Sequence, residues 1–290
     1  MGRVHVVGYL SIDRIVLDGR SVEDVPGGGA LYAALAARGA GARVSLHACA
    51  GTDFPTAWMD RLAALGLDLS GVVPVAVPTR RARLAYRGSE RRDSVHFAEA
   101  AWWESTNALA PRLAAMPAGG DVIAVPPVPA RVLAAICAQA RLTGARVVAD
   151  TSAAFARHDG DALLAALAGL AAFAPSLEET RILEPGRDDD GAASALAARG
   201  CPVLQKRGAA GAVLARDGVA PLLRLAAPVA TSIVDTTGAG DSVLGALAAG
   251  LSAHKDLTDA ARDALAWGAG CVGGLGPSAL GLAVEPAGAT

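Results

Sequence analysis

The stretch IVDTTGAGDSVLGALAAGL, residues 233–251, is the most informative part of this 290-residue chain. Its apolar start predicts a strand that ends at Asp235, and a glycine-rich turn then leads into a helix that begins near Asp241. Apolar residues follow at helical spacing, at Val243, Leu244, Leu247 and Leu251. Free backbone N–H groups at the start of a helix, together with the helix dipole, attract negative charge. We therefore predict an anion hole formed by Gly238, Ala239 and Gly240.

Asp241 stands directly beside this predicted anion hole. An acid in that position can accept a proton from a hydroxyl group while the backbone amides hold a phosphoryl group that is being transferred. The alternative interpretation is a glycine-rich turn followed by an ordinary acid in the first turn of a helix. The full DTTGAGD sequence after a predicted strand favours the catalytic interpretation.

Strand and helix patterns alternate along most of the remaining chain. The predicted strands are residues 4–7, 44–50, 121–125, 146–149, 171–174 and 203–205. The predicted helices are residues 31–38, 61–65, 130–142, 163–170 and 192–198. Parallel strands need crossover connections, so this alternation predicts an α/β fold in which helices cover both faces of a mostly parallel, doubly wound sheet.

Residues 72–97 break the alternation. Short extended runs at 72–77, 83–86 and 94–97 surround an arginine-rich turn, RGSERR, at residues 87–92. This pattern predicts a small β-sheet inserted around residues 72–100, which could act as a lid. We expect one domain over residues 1–290, with this insert as its appendage.

Composition and charge exclude several classes of protein. The formal net charge is -2, so no general basic field exists to bind nucleic acid or an anionic membrane. Residues 264–284 lack charge, but their glycines and Pro277 favour buried structure over a membrane span. The four cysteines show no zinc spacing, and the first residues lack a signal-peptide core. We expect a cytoplasmic protein with buried thiols.

DTTGAGD resembles the C-terminal signature of the ribokinase-like (PfkB) carbohydrate kinase family. Further segments resemble family motifs in the same order, namely VVGYLSID, PGGGALYAALAARGAG, ACAGTDFP, APSLEE and VLQKRGAAGAVL. The resemblance covers almost the whole chain. It implies the ribokinase-like fold, ATP and Mg²⁺ as cofactors, and Asp241 as the base that activates an acceptor hydroxyl.

The same resemblance implies an acceptor site in the first part of the chain. Asp13 would form hydrogen bonds with substrate hydroxyls, and Gly27 and Gly28 would let the substrate approach the backbone closely. Tyr32 stands where many sugar kinases of the family have an asparagine that contacts the sugar. We therefore expect a pocket adapted to a flatter or less polar ligand.

For the nucleotide, the resemblance implies a second set of residues. APSLEE occupies the place of the family's N-x-x-E motif, with Ser176 in place of the asparagine and Glu179 keeping the acid. Glu179 would order Mg²⁺ through water, because serine is a weaker ligand than asparagine. Lys206, Gly208 and Gly211 match the strand, turn and strand that cover the nucleotide.

The residues leave the acceptor open among sugars, sugar acids, nucleosides and cyclitols. A ribokinase-like protein that only binds ligand or serves as a scaffold is a further alternative. The sequence lacks a Walker A motif and a strand-linked GxGxxG, which disfavours P-loop and dinucleotide-dependent enzymes. The resemblance favours a homodimer, and a monovalent cation, used by some relatives, is left open. We expect no nucleic-acid or membrane partner.

The arginines of the predicted insert have two interpretations. They could clamp an anionic substrate under the lid, or they could be the solvated edge of an exposed hairpin. The residues concerned are Arg80, Arg81, Arg83, Arg87, Arg91 and Arg92. Trp102 and Trp103 are expected to anchor the insert to the core.

Overall fold

The computed structural model describes residues 2–87, 90–93, 100–115, 121–217 and 219–284. The strands in this part of the chain are β1 (Arg3–Val7), β2 (Ser11–Leu17), β3 (Arg20–Gly27), β4 (Arg43–Ala50), β5 (Asp68–Pro74), β6 (Arg80–Arg87), β7 (Glu90–Asp93), β8 (Val122–Val125), β9 (Arg146–Ala149), β10 (Ala172–Phe173), β11 (Val203–Lys206), β12 (Ala212–Arg216) and β13 (Val219–Leu225). The helices are α1 (Gly29–Gly39), α2 (Thr56–Ala64), α3 (Ala100–Ala114), α4 (Ala130–Thr143), α5 (Ala153–Ala165), α6 (Leu177–Leu183), α7 (Asp189–Ala197), α8 (Ala239–Ser252) and α9 (Leu257–Cys271).

The larger sheet has the strand order β13-β12-β11-β10-β9-β8-β1-β4-β5. The strands from β11 to β5 pair in parallel, and β12 and β13 complete one edge in antiparallel pairing. The chain builds outward from β1 to β4 and β5, and later adds strands on the other side from β8. The doubly wound, mostly parallel sheet predicted from the sequence is therefore confirmed.

Helices cover both faces of this sheet because its strands are apolar on both sides. Val4 and Val6 of β1 belong to the core that contains residues of α1, α2, α8 and α9. Val7, at the end of the same strand, packs in the core formed with α3 to α7. Successive side chains of a strand point to opposite faces, which explains how one apolar run serves both cores.

A smaller sheet stands apart, with the strand order β3-β2-β6-β7. The insert predicted around residues 72–100 supplies only part of it, because β2 and β3 come from residues 11–27. Residues 72–74 belong instead to β5, at the edge of the larger sheet. Residues 94–97, predicted as a strand, lie outside the described residues. The boundaries predicted for the insert were therefore wrong.

Two other predicted elements differ from the structure. Residues 233–235 do not form a strand. They pair with no strand of either sheet, and the side chains of Ile233 and Val234 are about half exposed. The helix predicted over residues 163–170 lies earlier in the chain, since α5 ends at Ala165.

Two further observations concern the whole described part of the chain. No helix within the described ranges is both long and apolar enough to cross a membrane. All four cysteines are buried and free.

Candidate active site

The candidate site lies at the carboxyl ends of the parallel strands, where ligands bind in open α/β sheets. Asp150 directly follows β9, Ser176 comes shortly after β10, and Lys206 is the last residue of β11. Asp241 reaches the same region from the first turn of α8. The sheet thus brings together residues that are distant in the sequence.

The glycine-rich loop leads into α8, which begins at Ala239 with Gly238 as its N-cap residue. Gly238 has a φ of 74°, and a Cβ at this position would lie 2.1 Å from the ring of Tyr32. Both features require glycine. The N–H of Ala239 lies 3.4 Å from the carbonyl oxygen of Thr236, so this amide has a protein partner and is a weaker member of the predicted anion hole.

Asp235 holds this loop in place. Its Oδ1 accepts hydrogen bonds from the backbone N–H of Thr237 at 2.9 Å and from the Thr237 hydroxyl at 2.6 Å. Its Oδ2 accepts the N–H of Gly276 at 2.8 Å. The Tyr86 hydroxyl, from β6 of the smaller sheet, lies 2.6 Å from the Thr237 Oγ1. The loop before α8 is therefore tied to the smaller sheet through buried hydrogen bonds.

The PGGG segment lies between two acids. A Cβ at Gly27 would lie 2.0 Å from Oδ2 of Asp13, and a Cβ at Gly29 would lie 2.7 Å from Oδ1 of Asp241. A side chain at either position would displace a carboxylate. Glycines at Gly27 and Gly29 thus let both acids sit close to the start of α1.

Asp13 is a buried carboxylate on β2, only 4% exposed. Its Oδ1 has no hydrogen-bond partner in the described part of the chain. Burial raises the pKa of Asp13 to about 7, although Ser11 and Arg80 favour the charged form. A ligand hydroxyl that donated to Asp13 would satisfy an acceptor that the fold leaves open.

Lys206 forms a buried ion pair with Asp150. A Cβ at Gly240 would lie 3.0 Å from the Lys206 Nζ, so the ammonium group stands against the start of α8. Burial opposes its charge, but Asp150, Glu179 and Asp241 together hold the pKa of Lys206 above its usual value. A fixed positive charge therefore lies among the acids at the predicted anion hole.

Ser176 and Glu179 form a capping box at the start of α6. The N–H of Ser176 donates to Oε2 of Glu179 at 2.6 Å, and the N–H of Glu179 donates to Oγ of Ser176 at 3.3 Å. Burial and the nearby Asp150 raise the pKa of Glu179 to about 7, although Lys206 opposes this rise. Glu179 is thereby fixed in the cluster around Lys206.

The two glycines predicted to cover the nucleotide differ in their surroundings. Gly208 opens an exposed turn just after β11, with free space where a Cβ would stand. Gly211 has a φ of 86°, and a Cβ there would lie 2.0 Å from the carbonyl oxygen of Leu225. The fold therefore requires glycine at Gly211 and leaves Gly208 open to a ligand.

Tyr32 is fully buried beneath the loop before α8. Burial and the nearby acids Asp13 and Asp235 raise the pKa of its phenol well above the usual value. Its hydroxyl has no hydrogen-bond partner among the described residues. Tyr32 thus supports Gly238 with its ring and leaves a polar atom near Asp13.

Sequence reasoning missed the roles of four residues in this region. It did not predict that Arg80 is buried or that Asp235 anchors the loop before α8, and it did not identify Tyr86 or Asp150. Asp150 carried a usable signal, since an acid directly after a buried parallel strand lies at the ligand-binding edge. Tyr86 and Arg80 carried none, because their roles depend on how β6 pairs with β2.

Comparisons with known proteins agree with this geometry. The chain is similar to a cytidine kinase from Thermococcus kodakarensis, with 28% identity over 267 residues, 89% of this chain and 91% of the relative. Its fold matches aminoimidazole riboside kinase from Salmonella enterica, solved with its riboside and an ATP analog, at a TM-score of 0.74 and 22% identity, over 96% of both chains. It also matches a candidate ribokinase II from E. coli, solved with ATP and Mg²⁺, at a TM-score of 0.71 and 22% identity, over 96% of this chain and 94% of that one.

These two solved structures share the fold of this chain. The match to a family model adds evidence about its function. The family model for pfkB family carbohydrate kinases matches residues 1–281, nearly the whole chain. The chain therefore belongs to the pfkB family of carbohydrate kinases, which are ATP-dependent phosphotransferases with a hydroxyl group as acceptor.

Proposed function

We propose that Asp241 is the base of this kinase and removes the proton from the acceptor hydroxyl as the γ-phosphate of ATP is transferred. The observation that carries the proposal is the position of Asp241 in the first turn of α8, against Gly29 and within electrostatic range of Lys206. Phosphoryl transfer needs mainly a positioned nucleophile and stabilised charge. The amides of Gly238 and Gly240 and the Lys206 ammonium group would stabilise that charge.

The acceptor would bind between Asp13 and Asp241. The unpaired Oδ1 of Asp13 can accept hydrogen bonds from acceptor hydroxyls. Gly27 and Gly28 would let the acceptor approach the backbone, and the buried hydroxyl of Tyr32 is a further polar contact near Asp13. This arrangement would present one hydroxyl of the acceptor to Asp241.

The nucleotide would bind on the other side of Asp241, along Ser176, Glu179, Lys206 and the turn at Gly208 and Gly211. Within the described ranges, no group of three or more His, Cys, Asp or Glu residues is arranged to bind a metal. Mg²⁺ commonly binds through one or two carboxylates, substrate phosphates and water. Glu179 and Asp150, two buried acids beside Lys206, therefore fit Mg²⁺ that arrives with ATP and would supply charge neutralisation at its phosphates.

Two classes of acceptor have support. The family points to a sugar, and the cytidine kinase relative points to a nucleoside. Tyr32 in place of the sugar-contacting asparagine agrees with an acceptor that differs from a simple sugar. A homodimer, a cytoplasmic location, a lid role for the smaller sheet and the use of a monovalent cation stay predictions.

The proposed activity is tested by measuring ADP formation from MgATP with a panel of sugars, sugar acids, sugar phosphates, nucleosides and cyclitols. We expect acceptor-dependent ADP formation with one class. A folded protein that binds ATP and forms no ADP with any member would favour the ligand-binding or scaffold alternative.

The raised pKa of Asp13 predicts a pH dependence of acceptor binding. The charged carboxylate accepts hydroxyl hydrogen bonds better than the protonated form, so the KM of the acceptor should fall as the pH rises toward the Asp13 pKa of about 7. With ATP saturating, we expect this KM to increase about tenfold for each pH unit below that value. In the Asp13→Asn protein the KM should be high at every pH. An unchanged pH profile in this variant would contradict the role of Asp13.

The hydrogen bond between Tyr86 and Thr237 predicts a positioning role for the smaller sheet. Tyr86→Phe removes this hydrogen bond, and Thr237→Val removes it together with the bond from the Thr237 hydroxyl to Asp235. Either substitution should lower kcat about 5- to 10-fold or more, with a smaller change in the KM of ATP. Thr237→Ser keeps the hydroxyl and should keep kcat. Equal losses of kcat in Thr237→Ser and Thr237→Val would contradict the positioning role, because the effect would then come from packing.

A further inference from the structure

Strand β6 presents one arginine to the inside of the smaller sheet. β6 pairs in parallel with β2, with Arg80 beside Ser11 and Ala82 beside Asp13. Partners in such a register point to the same face, so Arg80 shares a face with Asp13. Arg81 points to the opposite face and forms ion pairs with Asp24 and Asp53. The side chains of Arg87, Arg91 and Arg92 lie outside the described residues.

The guanidinium group of Arg80 is enclosed by two aromatic rings. Its Cζ lies 4.0 Å from the centroid of the Tyr9 ring and 4.7 Å from that of Trp102. The Tyr9 hydroxyl donates to the carbonyl oxygen of Thr106 at 2.8 Å, which fixes the first ring. Stacking of this kind covers the faces of the guanidinium and leaves its N–H groups for contacts at the edge.

One of those N–H groups, Nε, lacks a hydrogen-bond partner in the described chain. Arg80 is 8% exposed, and its Nε has no hydrogen-bond partner. None of the ion pairs among the described residues includes Arg80. A buried charge without a paired partner is costly, so its retention indicates a ligand that completes it.

Asp13 presents the matching feature on the neighbouring strand. Its Oδ1 is buried and has no partner in the part of the chain that the structure describes. Two buried groups of opposite charge thus lie on one face without forming a direct ion pair. A ligand that carries hydroxyl groups and an anionic group would satisfy both, with hydroxyls on Asp13 and the anion on Arg80.

We propose that Arg80 binds a carboxylate or phosphate group of the acceptor, which makes the acceptor a sugar acid or a sugar phosphate. This inference rests on the proposed function, because it assigns the substrate class of the same site. The planar guanidinium offers paired N–H donors that match either group. A neutral sugar or nucleoside would leave the buried guanidinium group of Arg80 without an ion pair among the described residues.

The test compares matched acceptors that differ by one anionic group. The pairs are D-ribose with D-ribose 5-phosphate, D-fructose with D-fructose 6-phosphate, and ribitol with D-ribonate. The kcat/KM of each is measured for the wild type, Arg80→Gln, Arg80→Lys and the control Arg83→Gln, whose residue lies on the opposite face of β6. Isothermal calorimetry without ATP measures the binding of each compound separately from turnover.

We expect the anionic member of at least one pair to be preferred, and Arg80→Gln to reduce its kcat/KM about 10- to 100-fold while changing that of the neutral member little. Arg80→Lys should retain part of the preference, and Arg83→Gln should retain all of it. A phosphate preference without a ribonate preference, or the reverse, identifies which anionic group is bound.

Three results would overturn the inference. One is a neutral acceptor that is preferred in every pair, and another is an unchanged preference in Arg80→Gln. The third is an equal loss for both members of a pair together with a lower Tm, which would make Arg80 a stacking residue only. If no compound yields ADP, the proposed function fails, and calorimetry then tests the anion site by itself. Binding of an anionic compound that Arg80→Gln abolishes would support the site. No binding of any anionic compound would refute the site.

Discussion

Replacement of Asp241 by Asn should lower kcat about 1,000-fold, within the range that a general base contributes. Asparagine keeps the size of the side chain but cannot accept the proton of the acceptor hydroxyl. The contact with Gly29 and the position in the first turn of α8 should persist, so the protein should fold and bind ATP. Steady-state kinetics, with ATP binding measured by calorimetry, checks both parts.

The matched control is Asp259→Asn. Asp259 is also an acid in the first turn of a helix, α9, but it is exposed and paired with Arg262 at 2.6 Å. This variant should keep kcat within about twofold, since a helix-dipole contribution affects stability by well under 1 kcal/mol at an exposed site. Equal effects of the two substitutions would show that Asp241 is an ordinary first-turn acid.

Replacement of Lys206 by Met should destabilise the protein by about 3–5 kcal/mol at neutral pH, the usual effect of breaking a buried ion pair from one side. Asp150 would lose its partner, and Glu179 would lose the positive charge that opposes its raised pKa. The loss should be smaller at acidic pH, where both carboxylates can accept protons. Urea unfolding at several pH values measures it.

The chain offers a matched control, because Lys255 is its only other lysine. Lys255 pairs with Asp263 at 2.7 Å, but both side chains are about half exposed. Lys255→Met should therefore cost less than about 1 kcal/mol. Adding Asp150→Asn to Lys206→Met should recover part of the lost stability, because it removes the unpaired charge. Equal losses from the two lysine substitutions would contradict a buried charge cluster.

The larger sheet could be predicted because its signals are local. Apart from the two-residue β10, its strands are four to eight residues long, most of them are apolar runs separated by helical patterns, and parallel pairing follows from that alternation. The same rule wrongly predicted a strand at residues 233–235. Ile233 and Val234 look like a strand by composition, but in the structure they are 55% and 43% exposed in the loop before α8.

A small second sheet was predicted and is present, but the strands that form it could not be predicted, because its central pairing is not local. β2 pairs in parallel with β6, and nearly seventy residues separate the register partners Ser11 and Arg80. No turn signal connects these strands. The arginines of the predicted insert were consequently treated as one group, whereas the strand alternation separates buried Arg80 from exposed Arg81.

The motifs predicted the location of the candidate site better than its internal contacts. Asp13, Lys206 and Asp241 were identified from motif residues, and the structure brings them around the start of α8 and the PGGG segment. Asp150 belongs to no motif, and only the sheet places it beside Lys206. Ser176 was interpreted as a nucleotide-site residue in place of the motif's asparagine, with Mg²⁺ left to Glu179, and the structure shows Ser176 as the N-cap of α6.

Transfer of the γ-phosphate to a hydroxyl can be followed with ATP labelled at the γ-phosphate and an acceptor that supports ADP formation. The products of the wild type and of Asp241→Asn are separated and compared under identical conditions. We predict that the label appears in an acid-stable phosphate ester of the acceptor, in proportion to ADP, and that Asp241→Asn binds ATP but transfers almost none. Label found only in inorganic phosphate, or transfer at an equal rate in Asp241→Asn, would contradict the proposed mechanism.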